Sequence, residues 1–160
     1  MDYAEGGTLR DYLEENFSSL NWQDTYVLAF QLSSAIQYLH EKGIVHKDLH
    51  SNNIYIQQSS IKLADSGLSK RITNANQNSF DTIPYIDSQF VNSSEEEKYK
   101  LNKKSDVYSV GVLFWELSSG RKPFADEEYG SSLAMKIAQG SRESIIEHTP
   151  KRYSDLYTSK

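Results

Sequence analysis

His46-Lys47-Asp48-Leu49-His50-Ser51-Asn52-Asn53 is the stretch on which the reading of this chain turns. It holds an acid, Asp48, and an amide, Asn53, five positions apart, and a second acid opens Asp65-Ser66-Gly67 twelve residues after the amide. Between them Ile54-Tyr55-Ile56 and Ile61-Lys62-Leu63 alternate as short strands do, joined by the polar Gln57-Gln58-Ser59-Ser60. A hairpin of that kind returns Asp65 to the side of Asn53. Hard carboxylate and amide oxygens gathered in this way suit Mg²⁺ on a triphosphate, and a further acid nearby can orient an attacking hydroxyl. The expectation is phosphoryl transfer, with Asp48 as base and Asn53 and Asp65 as metal ligands. Taken singly, each of the three reads as an ordinary turn former. Their combination at this spacing carries the reading.

The bulk properties narrow the field. One hundred and sixty residues suit one domain with a sizeable core. A net charge of -5 argues against a nucleic-acid surface and against a polybasic membrane patch. With no cysteine the chain has no disulfide, zinc thiolate or cysteine nucleophile. The N-terminus is acidic without an apolar signal region, and no stretch approaches a membrane span, so a cytoplasmic, soluble protein is expected. His46 and His50 share the spacing of a helical zinc motif, but Lys47 stands where that motif carries glutamate, so no zinc site is expected.

Around the central stretch the elements follow from local signals. Met1-Asp2-Tyr3-Ala4-Glu5-Gly6-Gly7 reads as a short extended run closed by glycines. Thr8 opens a helix with Asp11 at capping-box distance and Leu9, Tyr12 and Leu13 apolar. Asn21 and Asp24 form a second such start. Leu28, Leu32, Ala35, Ile36 and Leu39 then share one helical face, and Gly43 ends the helix. A second apolar set, Val27, Phe30 and Tyr38, predicts burial on more than one side, and His40 reads as a terminal residue serving the cap or macrodipole. From Leu68 to Asp81 the chain turns polar, as a long loop does. Glu95-Glu96-Glu97 and the following lysines read as a solvated charge run. Ser105 is expected to cap an apolar helix through Leu117, all-round in character and therefore buried, stopped by Gly120 and Pro123. Leu133, Ile137 and Ala138 predict one more amphipathic helix.

At these residues the chain resembles the eukaryotic protein kinases, whose catalytic loop reads His-Arg-Asp-Leu-x-x-x-Asn and whose metal loop reads Asp-Phe-Gly. Ser105-Asp106-Val107-Tyr108-Ser109-Val110-Gly111-Val112 and Trp115-Glu116-Leu117 are a second match, and the resemblance spans about residues 1–140. It implies a mainly α fold with a short β-hairpin at the catalytic loop, the large lobe of a kinase with the small lobe absent. Residues 1–7 would be the hinge, 8–64 the helices, catalytic loop and hairpin, 65–89 the activation segment, 90–140 the buried helix and those after it, and 141–160 a weakly structured tail. Met1 would take the gatekeeper position and the backbone of Asp2 and Ala4 would meet the adenine edge, with Tyr55 beneath adenine where most kinases have leucine. Thr82, in Thr82-Ile83-Pro84-Tyr85, matches the threonine that serine/threonine kinases set against the base. His46 and Asp106 are implied as structural, Asp106 accepting hydrogen bonds from the catalytic-loop backbone. Ser69, Thr73, Ser79, Thr82 and Tyr85 are candidate phosphoacceptors.

The implied function is an ATP- and Mg²⁺-dependent protein serine/threonine kinase in signal transduction, nearest the tyrosine-kinase-like group, acting on a protein substrate or docking partner. The chain begins at the hinge, so the glycine-rich loop and clamping lysine of the family are not in it, and the 160 residues alone are expected to be inactive. Lys47 replaces the loop arginine and keeps charge without the bidentate fork. His50 stands where serine/threonine kinases carry lysine, Ser66 replaces the phenylalanine of Asp-Phe-Gly, and Asp87-Ser88-Gln89 replaces Ala-Pro-Glu. These changes frame the alternative, a kinase-like binding or scaffold module without chemistry.

Overall fold

The computed structural model describes residues 7–58, 60–63, 83–85 and 103–158. Helix α1, Leu9–Asn16, starts at a complete capping box: the Asp11 N–H donates to Thr8 Oγ1 at 3.1 Å and the Thr8 N–H to Asp11 Oδ2 at 3.4 Å. It runs into a 3₁₀ turn, Phe17–Ser19. Helix α2, Trp22–Glu41, repeats the device, with Asn21 and Asp24 exchanging bonds of 2.9 and 3.0 Å. Its end is a Schellman closure: Gly43, at φ +77°, donates to the His40 carbonyl and Ile44 to that of Leu39.

The hairpin follows the central loop. Strands β1, Ile54–Gln57, and β2, Ser60–Leu63, pair antiparallel with Ile54 opposite Leu63 and Ile56 opposite Ile61. Each strand is one residue longer than the alternation predicted, because Gln57 and Ser60 pair and leave a two-residue turn in which Gln58 takes φ +52°. The isoleucines and Leu63 share the core face, and Tyr55 and Lys62 lie on the other.

Three helices complete the described chain: α3, Lys103–Ser119, α4, Ser131–Ala138, and α5, Lys151–Thr158. α3 packs against both α2 and α5, while the hairpin lies beside α2. One core joins Leu9 and Leu13 of α1, Leu28, Leu32 and Ile36 of α2, the hairpin isoleucines, Leu113 and Leu117 of α3, and Tyr153 of α5. A smaller cluster holds Ile83, Leu133 and Ile137.

Three expectations are corrected. Val27, Phe30 and Tyr38 are 43, 71 and 60 % exposed, so α2 buries a single face, and the second apolar set is surface. Ser105 lies within the first turn of α3, which begins at Lys103; it is buried, and its carbonyl accepts from Ser109 Oγ. Residues 151–158 of the expected weakly structured tail form α5, which inserts Tyr153 fully into the core. That ring meets Trp22 and Tyr26 at 5.4 Å and Phe114 at 6.2 Å, and its hydroxyl donates to the Phe114 carbonyl at 2.6 Å. A buried aromatic side chain removes about 150–250 Å² from water.

Two glycines give the first prediction. Gly43 and Gly120 both sit in the left-handed region, at φ +77° and +70°. A Cβ on Gly43 would meet open space, whereas one on Gly120 would come within 2.4–2.7 Å of the Phe17 ring. Urea unfolding of Gly43→Ala is expected to show only the conformational cost, about 1 kcal/mol. Gly120→Ala should add steric displacement of Phe17 and lose about 2–4 kcal/mol. Equal losses in the two variants would contradict this.

Candidate active site

The loop between α2 and β1 carries the site, and its shape is set from α3. Asp106, 1 % exposed in the first turn of α3, accepts the His46 N–H at 2.8 Å and the Lys47 N–H at 2.9 Å, one on each carboxylate oxygen. His40 Nε2, near the end of α2, lies 2.8 Å from the same carboxylate. A buried carboxylate needs such donors, and here the loop backbone supplies them. Lys47 is thereby held at φ +76°, a conformation non-glycine residues rarely adopt. The turn it makes presents the next residue, Asp48, whose side chain is 25 % exposed.

The loop then closes on itself. Asn53 Nδ2 donates to the Asp48 carbonyl, while Asn53 Oδ1 accepts the His50 N–H at 3.2 Å. The Asn53 N–H in turn donates to the His50 carbonyl at 3.1 Å. These bonds bring Asp48 and Asn53 to one site and fix which face of the amide is oxygen. Leu49, 1 % exposed, pins the loop into the core, and buried His46 accepts the Asp48 N–H on Nδ1 at 3.3 Å. Tyr55, two residues beyond Asn53, is half-buried on the hairpin face away from the core. Thr8 bridges to it, and the Gly7 carbonyl accepts the Ile56 N–H at 2.9 Å, so the start of α1 lies along β1. Asp65, Thr82, Met1, Asp2 and Ala4 lie outside the described residues.

Beneath the loop runs a buried polar chain. Arg10 Nη1 of α1 lies 2.6 Å from Glu116 Oε2 of α3, and its Nη2 donates to the Gly120 carbonyl at 2.7 Å. Tyr85 Oη donates to Glu116 Oε1 at 2.5 Å and stands 3.2 Å from Ser51 Oγ of the loop. Ser109 Oγ donates to the Tyr85 carbonyl at 2.7 Å. Burial, reinforced by the Glu116 charge, pushes the Tyr85 phenol well above its ordinary range. Burial also raises the Glu116 carboxyl, opposed by the bonds from Tyr85 and Ser51 and by the Arg10 charge. Tyr85 is 5 % exposed, so in this arrangement its hydroxyl is a structural donor and not an accessible phosphoacceptor. Of these residues the sequence offered a hint at Glu116, a charge inside an apolar helix; Arg10 lies 106 positions away and carried no signal.

The family model for protein tyrosine and serine/threonine kinases matches residues 1–159, and the chain belongs to that family. The match takes in α5, beyond the residues that the sequence resemblance reached. The chain is 36 % identical over 125 residues to leaf rust 10 disease-resistance locus receptor-like protein kinase-like 1.4 of Arabidopsis thaliana, covering 76 % of the chain and 19 % of that protein. It is 32 % identical over 156 residues to serine/threonine-protein kinase PrkC of Bacillus subtilis, covering 94 % of the chain and 23 % of that protein. Serine/threonine-protein kinase Nek8 of Danio rerio is 33 % identical over 146 residues, 88 % of the chain and 20 % of that protein. The chain therefore spans about one fifth of the length of these relatives. Among the described residues no helix is long and apolar enough to cross a membrane.

Proposed function

We propose that this chain is the catalytic-loop portion of a protein kinase that transfers the terminal phosphoryl group of ATP to serine or threonine of protein substrates. The observation that carries the proposal is the loop itself: Asp48 and Asn53 held together by bonds that include a left-handed Lys47 fastened to Asp106. Such a conformation costs free energy, and its presence beside an acid–amide pair favours a functional site over a plain turn.

In this reading Asp48 accepts or orients the proton of the acceptor hydroxyl, and the Asp106 clamp fixes where its carboxylate points. Asn53 suits the metal role, because its nitrogen is committed to the Asp48 carbonyl and its oxygen, with one bond to His50, retains a lone pair for a hard cation. Among the described residues no group of three acids or imidazoles gathers to hold a metal, so the proposal needs Asp65 as the second ligand. When bound, Mg²⁺ supplies charge neutralisation on the β- and γ-phosphates. By the resemblance, Tyr55 would lie beneath the adenine and Thr82 would be set against Asp48. A cytoplasmic site of action and a part in signal transduction belong to the same proposal.

The test is Asp48→Asn in the full-length protein, with transfer of labelled phosphate from ATP to a generic acceptor protein as readout. Turnover is expected to fall about 10²–10⁴-fold with the unfolding midpoint little changed. Unaltered turnover would sink the assignment of Asp48. A protein that transfers no phosphate in either form would favour the binding-module reading instead.

A further inference from the structure

The His50 imidazole faces the proposed base, and its surroundings are specific. Its Nε2 stands 3.5 Å from Asp48 Oδ2, and its side chain is 14 % exposed. The ring lies against that of Tyr85, centroids 6.0 Å apart and planes tilted by 48°. Its backbone N–H donates to Asn53 Oδ1. Nδ1 is buried and meets no hydrogen-bond partner among the described residues.

These facts select a tautomer. A neutral imidazole carries one N–H. Placed on Nδ1, that proton would be buried without an acceptor, while the lone pair of Nε2 would face a carboxylate oxygen. Placed on Nε2, it lies between the ring and Asp48 Oδ2, and the unmatched atom is a bare lone pair, the less costly group to leave unpaired. The 3.5 Å separation is longer than a formed hydrogen bond, as contacts around catalytic groups often are before substrate arrives.

We propose that His50 is a positioning residue for Asp48, its Nε2–H engaging Oδ2 and holding the carboxylate in one orientation, while Tyr85 fixes the ring that does so. This rests on the reading of Asp48 as the base. It also ties the base to the buried chain beneath it: the Tyr85 that buttresses the ring is itself held by Glu116 and Ser51.

Two readouts test the proposal. In the ¹⁵N-labelled chain, long-range ¹H–¹⁵N correlation of the His50 ring should report the Nε2–H tautomer, and Asp48→Ala should raise the share of Nδ1–H. A parent ring in the Nδ1–H form, or a tautomer indifferent to Asp48→Ala, overturns the inference. In the full-length protein, His50→Phe keeps a ring against Tyr85 but removes the donor. It should lower kcat about 10- to 100-fold with KM for ATP within about twofold, and His50→Gln, which returns an N–H near the Nε2 position, should recover most of the loss. A kcat unchanged by His50→Phe, or a Gln variant as poor as Phe, likewise overturns it. An Nε2–H tautomer coupled to Asp48 in a protein that transfers no phosphate would count against the kinase reading and leave the His50–Asp48 pairing standing.

Discussion

Arg10→Met is expected to destabilise the fold by about 3–5 kcal/mol, the loss that follows when one member of a buried ion pair is removed. The Arg10 and Glu116 side chains are 7 and 0 % exposed, and Nη1 and Oε2 approach to 2.6 Å. Methionine fills much of the space but leaves Glu116 with the Tyr85 hydroxyl and without the Arg10 charge. The loss should depend on pH in a defined direction. Burial already raises the folded-state pKa of Glu116 above its ordinary value of 4.5, and removing Arg10 raises it further. Below that ordinary value the carboxyl is protonated whether the chain is folded or not, and its burial costs little. Above it the unfolded chain ionises first, so stability is lost as pH rises toward the folded-state pKa. Urea unfolding followed by the Trp22 and Trp115 fluorescence should therefore show a larger penalty at neutral pH than near pH 4. Arg10→Met combined with Glu116→Leu should recover much of the stability at neutral pH. A single-variant loss under about 1 kcal/mol would contradict the burial argument.

Asp106→Ala is the second large effect. Its carboxylate accepts the His46 and Lys47 N–H groups and pairs with His40, and alanine leaves buried donors without an acceptor. Hydrogen bonds to a charged group contribute about 1.5–3 kcal/mol each, so even with partial compensation a loss of about 4 kcal/mol is expected. The chemical consequence should be separable from the stability loss. Without the Asp106 carboxylate to accept its N–H, Lys47 has no reason to stay at φ +76°, and Asp48 turns away with it. Amide hydrogen exchange at His46 and Lys47 should be slow in the parent and fast in the variant, under conditions where α2 remains protected. Asp106→Asn, which keeps one acceptor oxygen, should fall between the two. Slow exchange at Lys47 in Asp106→Ala would show that something other than Asp106 shapes the loop.

The parts of this architecture legible in the sequence were those encoded by neighbours. Both capping boxes, the Gly43 ending and the hairpin depend on residues three to nine positions apart, and each lies where the spacing put it. α3 was readable as a buried helix because its apolar residues leave no polar side to face water. α2 shows the limit of that logic, since Phe30 is apolar yet 71 % exposed. Residue type records what can be buried, not what is. α5 escaped because its contribution to the core is one tyrosine in a polar octapeptide, with no periodic run to mark it. At the site, the acid–amide spacing was plain, whereas the Arg10–Glu116 pair and the seat of His50 against Tyr85 arise from packing between distant segments.

Tyr153 has a consequence for how the protein comes into being. Its ring is the partner of Trp22, Tyr26 and Phe114, yet it is joined to the chain long after the last of them. While the ribosome is still adding the residues after α3, the loop bearing Asp48 and Asn53 already exists in full, but the aromatic surface on α2 and α3 has nothing to close it. A nascent chain at that stage presents exposed rings to solvent and is more prone to association. Burial of those rings should coincide with the emergence of residue 153.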